Sequence, residues 1–600
     1  MTRRPGGSHM VRIGGASAFW GDSIVGPLQL VAHGALDYLV FDYLAETTMA
    51  ILAAARLKDR DAGYATDFVE VAMRNVLADV ARKRIKVLAN AGGINPEGCR
   101  QALLRLASEL GVVVRVAVVE GDDVNDRLGT LGATRADGVT PAALPVNTLS
   151  ANAYLGALPI ARALAEGADI VVTGRCVDSA LTLAPLIHEF GWPMDDYDRL
   201  AAGSLAGHII ECGCQATGGL YTDWEQVPDW ANAGYPVIEC SADGGFVVTK
   251  PPATGGLVAP LAVAEQLVYE IGDPAEYLLP DVVCDFTAVT IREVGPGRVR
   301  VAGARGRAPT DRYKVSVTYR DGFRSAGTMI IIGIDAAAKA HRTGEAILER
   351  MRGLLAREGM ADFRETLVEV IGAETMYGPH ARRPASREVM MRVAVVHDER
   401  RALELFGREI APSGTSWSPG TTMPAGGRPM PSPFIKQISC LIVKSSVQAL
   451  VRLDDRRIEV AVPTGGVPVA PEHPGDPVAA GAAAGGVTVP LVRLACARSG
   501  DKGDRSNIGI VARRPEYLPF ILAQVTPEVV AAYFAHLVAG PVRRYVLPGI
   551  HGCNFVLDRA LGGGGTTSLR MDPLGKGMGQ MLLDLEVLVP ADIARHWSAA

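Results

Sequence analysis

The stretch RIKVLANAGGINPEGCRQALLRLASELGVVVRVAVVEG, residues 84–121, decides the fold class of this chain. Its first apolar run, RIKVLAN, is typical of a buried strand that ends in a polar side chain. The segment NPEGCRQALLRLASELG then predicts a helix over 95–111, with Asn95 placed to cap its first turn. VVVRVAVVEG predicts a second strand over 112–121. A strand, a helix and a strand in this order indicate a mainly parallel sheet covered by helices.

The same alternation extends to both sides, from residue 11 to about residue 200. Further strands are predicted at 11–15, 36–43 and 168–174, and further helices at 65–82, 154–166 and 178–191. After about residue 205 the pattern changes to hairpin strands with glycine-containing turns. Two helices, predicted at 265–278 and 335–358, interrupt these strands, which is typical of an α+β region.

A segment rich in proline, glycine and alanine, residues 461–489, predicts a linker before a small C-terminal module. The start of the chain, MTRRPGGSHM, contains GSHM and is predicted to be an expression-tag remnant or disordered. The predicted organisation is therefore a tag at 1–10, an α/β domain at 11–205, an α+β domain packed on it at 206–460, the linker at 461–489, and an α+β sandwich at 490–600.

Composition narrows the classes of function. The net charge of -5 is spread over interspersed acidic and basic residues, so we expect no nucleic-acid partner. No apolar run reaches the roughly 18 residues of a membrane helix, so we expect no membrane span. The 9 cysteines are odd in number and lack a disulfide spacing, which favours a reducing cytoplasm. Because no clean dinucleotide motif, phosphate loop or zinc-ligand spacing occurs, we expect no tightly bound cofactor and no metal.

Polar side chains follow five of the predicted parallel strands. Ligands of open parallel sheets bind beyond the carboxyl ends of the strands, so these side chains predict a binding rim. Helix capping is an alternative for Ser23, Asn95 and Asp178. The predicted catalytic residues are Asp22, Asp42, Asn90, Glu120 and Asp178. The residues predicted to bind substrate at the same rim are Ser23, Glu46, Gly92, Gly93, Asn95, Arg175 and Cys176.

Two further segments carry basic residues in glycine-rich surroundings. Lys250 in TKPPATGG is predicted to meet a carboxylate, a phosphate or a thioester oxygen, with a solvated turn lysine as the alternative. In ARSGDKGDRSNIG, residues 497–509, a calcium loop is excluded because Ala512 stands where the closing Glu belongs. Arg498, Lys502 and Asn507 are instead predicted to hold an anion or to fasten the C-terminal module to the larger body, with fastening favoured.

Six motifs together resemble one family, the acyclic terpene utilisation A family, whose attached small domain is ferredoxin-like. The resemblance implies a role in the breakdown of citronellol- and geraniol-type compounds through branched acyl-CoA thioesters. The motifs that carry it are RIGGASAFWGDS, LANAGGINP, VVTGRCVDSALTLAPLI, ECGCQATGG, VTKPPATGGLV and RSGDKGDRSNIGIVAR.

The sequence hypothesis is therefore a cytoplasmic, homo-oligomeric enzyme of branched acyl-CoA catabolism, with CoA as part of the substrate. A non-redox hydratase or lyase reaction is favoured. Carboxylates such as Asp42 are predicted to act as general acid and base. Asn90 and the backbone amides of Gly92 and Gly93 are predicted to stabilise an enolate-like thioester oxygen. The alternatives are a non-catalytic acyl-CoA-binding or scaffold subunit and a metal-dependent hydrolase.

Overall fold

Strands and helices alternate over the first two hundred residues, as the sequence pattern predicts. The computed structural model describes residues 10–135, 140, 142–424, 427–466, 469–475 and 486–595. Residues 1–9 of the predicted tag, and 467–468 and 476–485 of the predicted linker, lie outside the described residues. The first elements are β1 (Met10–Gly15), α1 (Val25–His33), β2 (Tyr38–Phe41), α2 (Glu46–Lys58), α3 (Arg74–Lys83), β3 (Lys86–Ala89), α4 (Pro96–Glu109), β4 (Val116–Glu120), β5 (Thr148–Ala153), α5 (Leu158–Ala165), β6 (Ile170–Thr173), α6 (Ala180–Phe190) and α7 (Tyr197–Ile210).

Antiparallel strands dominate the middle of the chain. Its elements are β7 (Val237–Ser241), β8 (Phe246–Thr249), α8 (Pro260–Leu267), β9 (Tyr277–Leu278), β10 (Val283–Asp285), β11 (Thr290–Gly295), β12 (Arg298–Ala302), β13 (Arg305–Arg307), β14 (Arg312–Ile332), α9 (Ala336–Arg357), β15 (Glu365–Ile371), β16 (Glu388–His397), α10 (Arg400–Ile410), α11 (Ser413–Ser416), β17 (Thr421–Thr422), β18 (Ser432–Val443), β19 (Ala449–Leu453) and β20 (Arg456–Val460). The helix predicted at 265–278 is shorter, because the chain leaves α8 through Glu270 in the left-handed conformation.

The last hundred residues form a small α+β unit around a hairpin. Its elements are β21 (Val487–Pro490), β22 (Ala495–Lys502), β23 (Arg505–Ala512), α12 (Leu518–Gln524), α13 (Pro527–Tyr533), β24 (Val542–Leu547), β25 (Gly552–Leu557), α14 (Met578–Leu582), β26 (Glu586–Val589) and α15 (Ala591–Arg595). The strands β22, β23, β25 and β24 form one antiparallel sheet in this order.

One sheet of 11 strands runs through the α/β region and the middle region, in the order β11-β12-β8-β7-β1-β2-β3-β6-β4-β19-β20. Its centre, β1-β2-β3-β6-β4, is parallel, which agrees with the predicted fold class. Antiparallel strands from the middle region cover both edges of this centre. The predicted boundary at residues 205 and 206 therefore divides strands of a single sheet, because the parallel centre needs later strands to pair its edges.

The parallel centre is buried on both faces. Along β2, Tyr38 and Val40 belong to one hydrophobic core, whereas Leu39 and Phe41 belong to the core on the other face. Such two-sided burial is expected of parallel strands covered by helices. Polar side chains are therefore found mainly at the ends of these strands.

Candidate active site

Asp42 and Asn90 meet at the carboxyl ends of β2 and β3. Asn90 is fully buried, and its Nδ2 donates to Asp42 Oδ1 at 2.6 Å. The other end of the same amide accepts the backbone N–H of Tyr43 at 2.7 Å. Both neighbouring strands therefore fix the position of the Asp42 carboxyl group.

Arg175 lies beneath these groups, after β6, and is only 3% exposed. Its Nη1 donates to Asp178 Oδ1 at 2.6 Å and to the carbonyl of Cys176 at 2.7 Å. The Asp122 carboxylate accepts the backbone N–H of Arg175 at 2.8 Å. The guanidinium also lies over the ring of Tyr154, 4.1 Å from its centroid. Arg175 is thus a fixed cation at the base of the site.

Asp42, Asp178 and Glu211 line one cavity. Burial raises the pKa of Asp42 well above its usual value, and the charges of Asp178 and Glu211 raise it further, against a smaller opposing effect of Arg175. Burial also raises the pKa of Glu211. Neighbouring carboxyl groups that repel one another favour the protonated form, so this cavity favours binding of a proton.

His208 supports Glu211 from behind, one helical turn earlier on α7. Its Nδ1 lies 3.1 Å from Glu211 Oε1, and its Nε2 lies 3.1 Å from the carbonyl of Leu267. Because that carbonyl only accepts, Nε2 carries a proton and Nδ1 faces the carboxylate. Burial lowers the pKa of His208, but Glu211 outweighs this effect and raises it. His208 is therefore a partner that favours the ionised form of Glu211, whereas Asp42 is hydrogen-bonded to the neutral amide of Asn90.

Glu46, in the first turn of α2, is held by two side chains from distant parts of the chain. Its Oε1 accepts from Tyr154 Oη at 2.6 Å and from Lys314 Nζ at 3.1 Å. Burial opposes ionisation, yet Lys314 and Arg175 lower the pKa of Glu46 well below its usual value. The Glu46 side chain is therefore an anion near the cavity that Asp42, Asp178 and Glu211 line.

Lys502 reaches the same place from the turn between β22 and β23. Its Nζ donates to Glu270 Oε2 at 3.2 Å, and its charge acts on Tyr277, Glu46 and Asp178. Half of the Lys502 side chain is accessible, although the surrounding protein strongly desolvates it. A side chain that is both accessible and desolvated is typical of the wall of a crevice, so we place Lys502 there. We call the region formed by Asp42, Glu46, Asp178, Glu211, Lys314 and Lys502 the interdomain crevice.

Other residues predicted in the hairpin fasten the two bodies together. Arg498 donates to Gln215 Oε1 at 2.6 Å and to the carbonyl of Leu220 at 3.2 Å. Asn507 Nδ2 donates to the carbonyl of Val268 at 2.7 Å. These contacts agree with the fastening role, and Lys502 is the predicted cation of this hairpin that extends into the crevice.

Three predicted rim residues lie apart from the crevice. Asp22 accepts from Tyr235 Oη at 2.8 Å, and it lines a separate cavity. Ser23 Oγ accepts the N–H of Val25 at 3.2 Å, at the start of α1. Glu120 pairs with Arg452 at 3.0 Å, beside the antiparallel strand β19.

The glycine amides proposed for a thioester oxygen are used inside the protein. The N–H of Gly92 donates to the carbonyl of Thr173 at 3.1 Å, and that of Gly93 donates to the carbonyl of Asn90 at 3.3 Å. A Cβ atom on Gly92 would lie 2.5 Å from the oxygen of Thr173. Glycine is therefore required at position 92 for close packing of this loop against β6.

Three further predicted side chains serve local structure. Asn95 caps α4 by accepting the N–H of Gly98 at 3.0 Å, which confirms the capping alternative for this residue. Lys250 Nζ donates to the carbonyl of Thr254 at 2.6 Å and so closes its own turn. Cys176 is buried, and burial raises its pKa to about 12, so it remains a thiol.

Four residues that form or support the crevice were missing from the predicted set. His208 and Glu211 stand three residues apart on α7, so their spacing was a visible signal of one helix face. Lys314 and Glu270 carried no such signal, because they reach the crevice from a long strand and from a turn after α8.

Metal-binding clusters and membrane-spanning helices are the subjects of two further observations. Within the described ranges, no three His, Cys, Asp or Glu side chains come together in an arrangement that would hold a metal ion. None of the helices in the described part of the chain is long and apolar enough to cross a membrane.

Comparisons with known proteins place the chain in a family. The model of the acyclic terpene utilisation family protein AtuA matches residues 11–453, and the model of the AtuA ferredoxin-like domain matches residues 489–588. A search of curated proteins and a search of solved structures found no match. The first of these family models spans well over half of the chain, so the chain belongs to the acyclic terpene utilisation family AtuA, followed by an AtuA ferredoxin-like domain.

Proposed function

We propose that this protein is an enzyme that transfers protons to and from a branched acyl-CoA thioester, in a hydratase or lyase reaction. The observation that carries the proposal is the cavity shared by Asp42, Asp178 and Glu211, where burial and mutual repulsion raise the pKa of Asp42. Carboxyl groups with raised pKa values beside an ionised partner are what acid–base catalysis at neutral pH requires. Membership of the acyclic terpene utilisation family supports a terpenoid substrate, and the CoA thioester is part of this proposal.

The surroundings of the carboxyl groups suggest which is the acid and which is the base. Asp42 faces two other acids and holds the proton, so we assign it as the general acid. Glu211 has His208 behind it, and a protonated imidazole stabilises its carboxylate, so we assign it as the general base. Hydration of a double bond needs both steps, and so does the reverse elimination.

Energetic cost supports catalysis over a purely binding or scaffold role. Burial of carboxyl groups that repel one another destabilises the folded state, since each charge loses hydration. Docking of another protein does not require buried carboxyl groups that repel one another. Perturbed pKa values in a cavity are instead typical of active sites.

The experiment is turnover of candidate thioesters by the purified full-length chain. Geranyl-CoA and citronellyl-CoA are incubated with the protein, and the products are followed by mass spectrometry. We expect a product that has gained or lost one water, or two products from cleavage of a carbon–carbon bond. If the thioesters only raise the melting temperature and stay unconverted, the enzyme proposal fails and the binding-subunit alternative replaces it.

A further inference from the structure

Chemistry at a thioester carbonyl needs a donor for the oxygen that becomes negative. Proton removal beside the carbonyl, or its reversal, places negative charge on that oxygen, and fixed donors stabilise it. The donors near the proton-holding cavity are Asn90, Arg175, Lys314, Lys502 and the glycine amides of the loop after β3.

Most of these donors are already occupied. Asn90 Nδ2 is bound to Asp42, and the N–H groups of Gly92 and Gly93 are bound to backbone carbonyls. Arg175 is buried, and its Nη1 is bound to Asp178 and to the Cys176 carbonyl. Lys314 is bound to Glu46 and also lies over the ring of Tyr154, 4.6 Å from its centroid.

Lys502 is the more exposed of the two lysines. An ammonium group has three N–H donors, and among the described residues Lys502 uses one of them, for Glu270 Oε2 at 3.2 Å. Its side chain is 50% exposed, against 37% for Lys314, so its ammonium group is the more accessible to a substrate. Its charge acts on Glu46 and Asp178, which indicates that it lies near the proposed acid–base groups.

Neighbouring contacts hold Lys502 in this position without using its free donors. Lys576 Nζ donates to Glu270 Oε1 at 2.8 Å, so a second cation compensates the carboxylate that orients Lys502. On the same strand, Arg498 and Ser499 are buried, and Ser499 Oγ donates to the carbonyl of Gly575 at 2.6 Å. The hairpin is thus rigidly seated, which is a condition for a preorganised donor.

We propose that Lys502, contributed by the ferredoxin-like domain, is a catalytic residue that binds the thioester carbonyl oxygen and stabilises its negative charge in the reaction. The inference rests on the proposed acyl-CoA chemistry and deepens it. It means that the smaller domain contributes a residue to the active site.

The test compares Lys502→Met with wild type in the full-length protein. With geranyl-CoA as substrate, we expect kcat to fall by about 100-fold, the usual loss when one oxyanion donor is removed. Lys502→Arg retains a cationic donor and should recover most of this loss. Arg505→Gln is the matched control, because Arg505 pairs with Lys502 in register across the hairpin but binds Asp558 at 2.7 Å instead. It should leave kcat unchanged.

A binding measurement separates this inference from the proposed function. S-carboxymethyl-CoA places a carboxylate where the oxyanion would form, whereas S-propyl-CoA has no such oxygen. Lys502→Met should weaken binding of the first compound by about 100-fold and leave that of the second unchanged. Equal binding of S-carboxymethyl-CoA by wild type and variant overturns the inference even if wild type turns over geranyl-CoA. Selective loss with no turnover by wild type instead supports the oxyanion site and overturns the proposed reaction.

Two controls exclude indirect effects. A lysine that acted only through the charges of Glu46 or Asp178 would shift the pH profile, so recovery of kcat at another pH would contradict the inference. Folding is checked by the melting temperature. Lys502→Gln, which still donates to Glu270, repeats the test if the methionine variant is unstable, and wild-type kcat in the glutamine variant would also contradict it.

Discussion

Lys502 keeps half of its side chain open to the interdomain crevice, whereas Arg498, four residues earlier on the same strand, is 8% exposed and closed against Gln215. The interface around Arg498 pairs its charges, as in the ion pair of Arg513 with Asp223. The crevice also brings like charges together, as with Asp42 and Glu211. Fully paired groups fasten the domains, whereas repelling and partly exposed groups remain available for a substrate.

A raised pKa alone does not distinguish the two regions. Glu265 lies at the interface, where burial raises its pKa to about 7, yet it is 3% exposed and accepts the N–H of Thr222. Thr222 in turn bonds Ala497 of the ferredoxin-like domain. Access, which Asp42 has and Glu265 lacks, separates a candidate catalytic group from a buried structural one.

The largest expected effect follows from removal of the crevice acid. Asp42→Asn keeps an oxygen that can accept from Asn90 but cannot deliver a proton, so kcat should fall by about 100-fold to 10,000-fold. Glu120→Gln is the comparison, since Glu120 also stands at the end of a parallel strand but is paired with Arg452. Steady-state kinetics with geranyl-CoA measure both. An equal loss of kcat in the two variants would contradict the assignment of Asp42, and not Glu120, to the active site.

A smaller effect is expected at the interface. Arg513 Nη2 donates to Asp223 Oδ1 at 2.6 Å, and both side chains are largely buried. Arg513→Gln leaves the Asp223 carboxylate without its cation and should destabilise the protein by about 3 kcal/mol. Urea unfolding measures the loss, with Arg514→Gln as control because that side chain is 57% exposed. An unchanged unfolding midpoint would show that this pair does not fasten the domains.

The last prediction concerns the pH dependence of stability that Glu265 causes. Its pKa is about 7 in the folded protein against an ordinary value of 4.5, so the folded state binds the proton more tightly. This contribution to stability is complete below about pH 4.5 and is lost as the pH rises through about 7, with a slope of at most about 1.4 kcal/mol per pH unit. Glu265→Gln should flatten this part of the stability profile in urea unfolding. The exposed Glu516→Gln should retain the wild-type slope, and a wild-type slope in Glu265→Gln would contradict the assignment.

Local pattern predicted much of the larger fold. The parallel centre of the sheet, the cap at Asn95 and the place of Asp42 and Arg175 at strand ends followed from short segments. The extent of the sheet did not follow, because β7 and β19 pair with strands far away in the chain. Backbone pairing over such distances depends on the whole set of buried faces rather than on any one segment.

The sequence by itself determined which polar groups stand at the carboxyl ends of the parallel strands, since each end follows from its own strand. Tertiary structure decided which of them share a cavity. Lys314 meets Glu46 across 268 positions, and Lys502 meets Glu270 across 232. These contacts exist because the hairpin of the ferredoxin-like domain docks on the turn after α8. This docking depends on burial and on hydrogen bonds between surfaces that are far apart in the chain, so a local sequence pattern does not predict it.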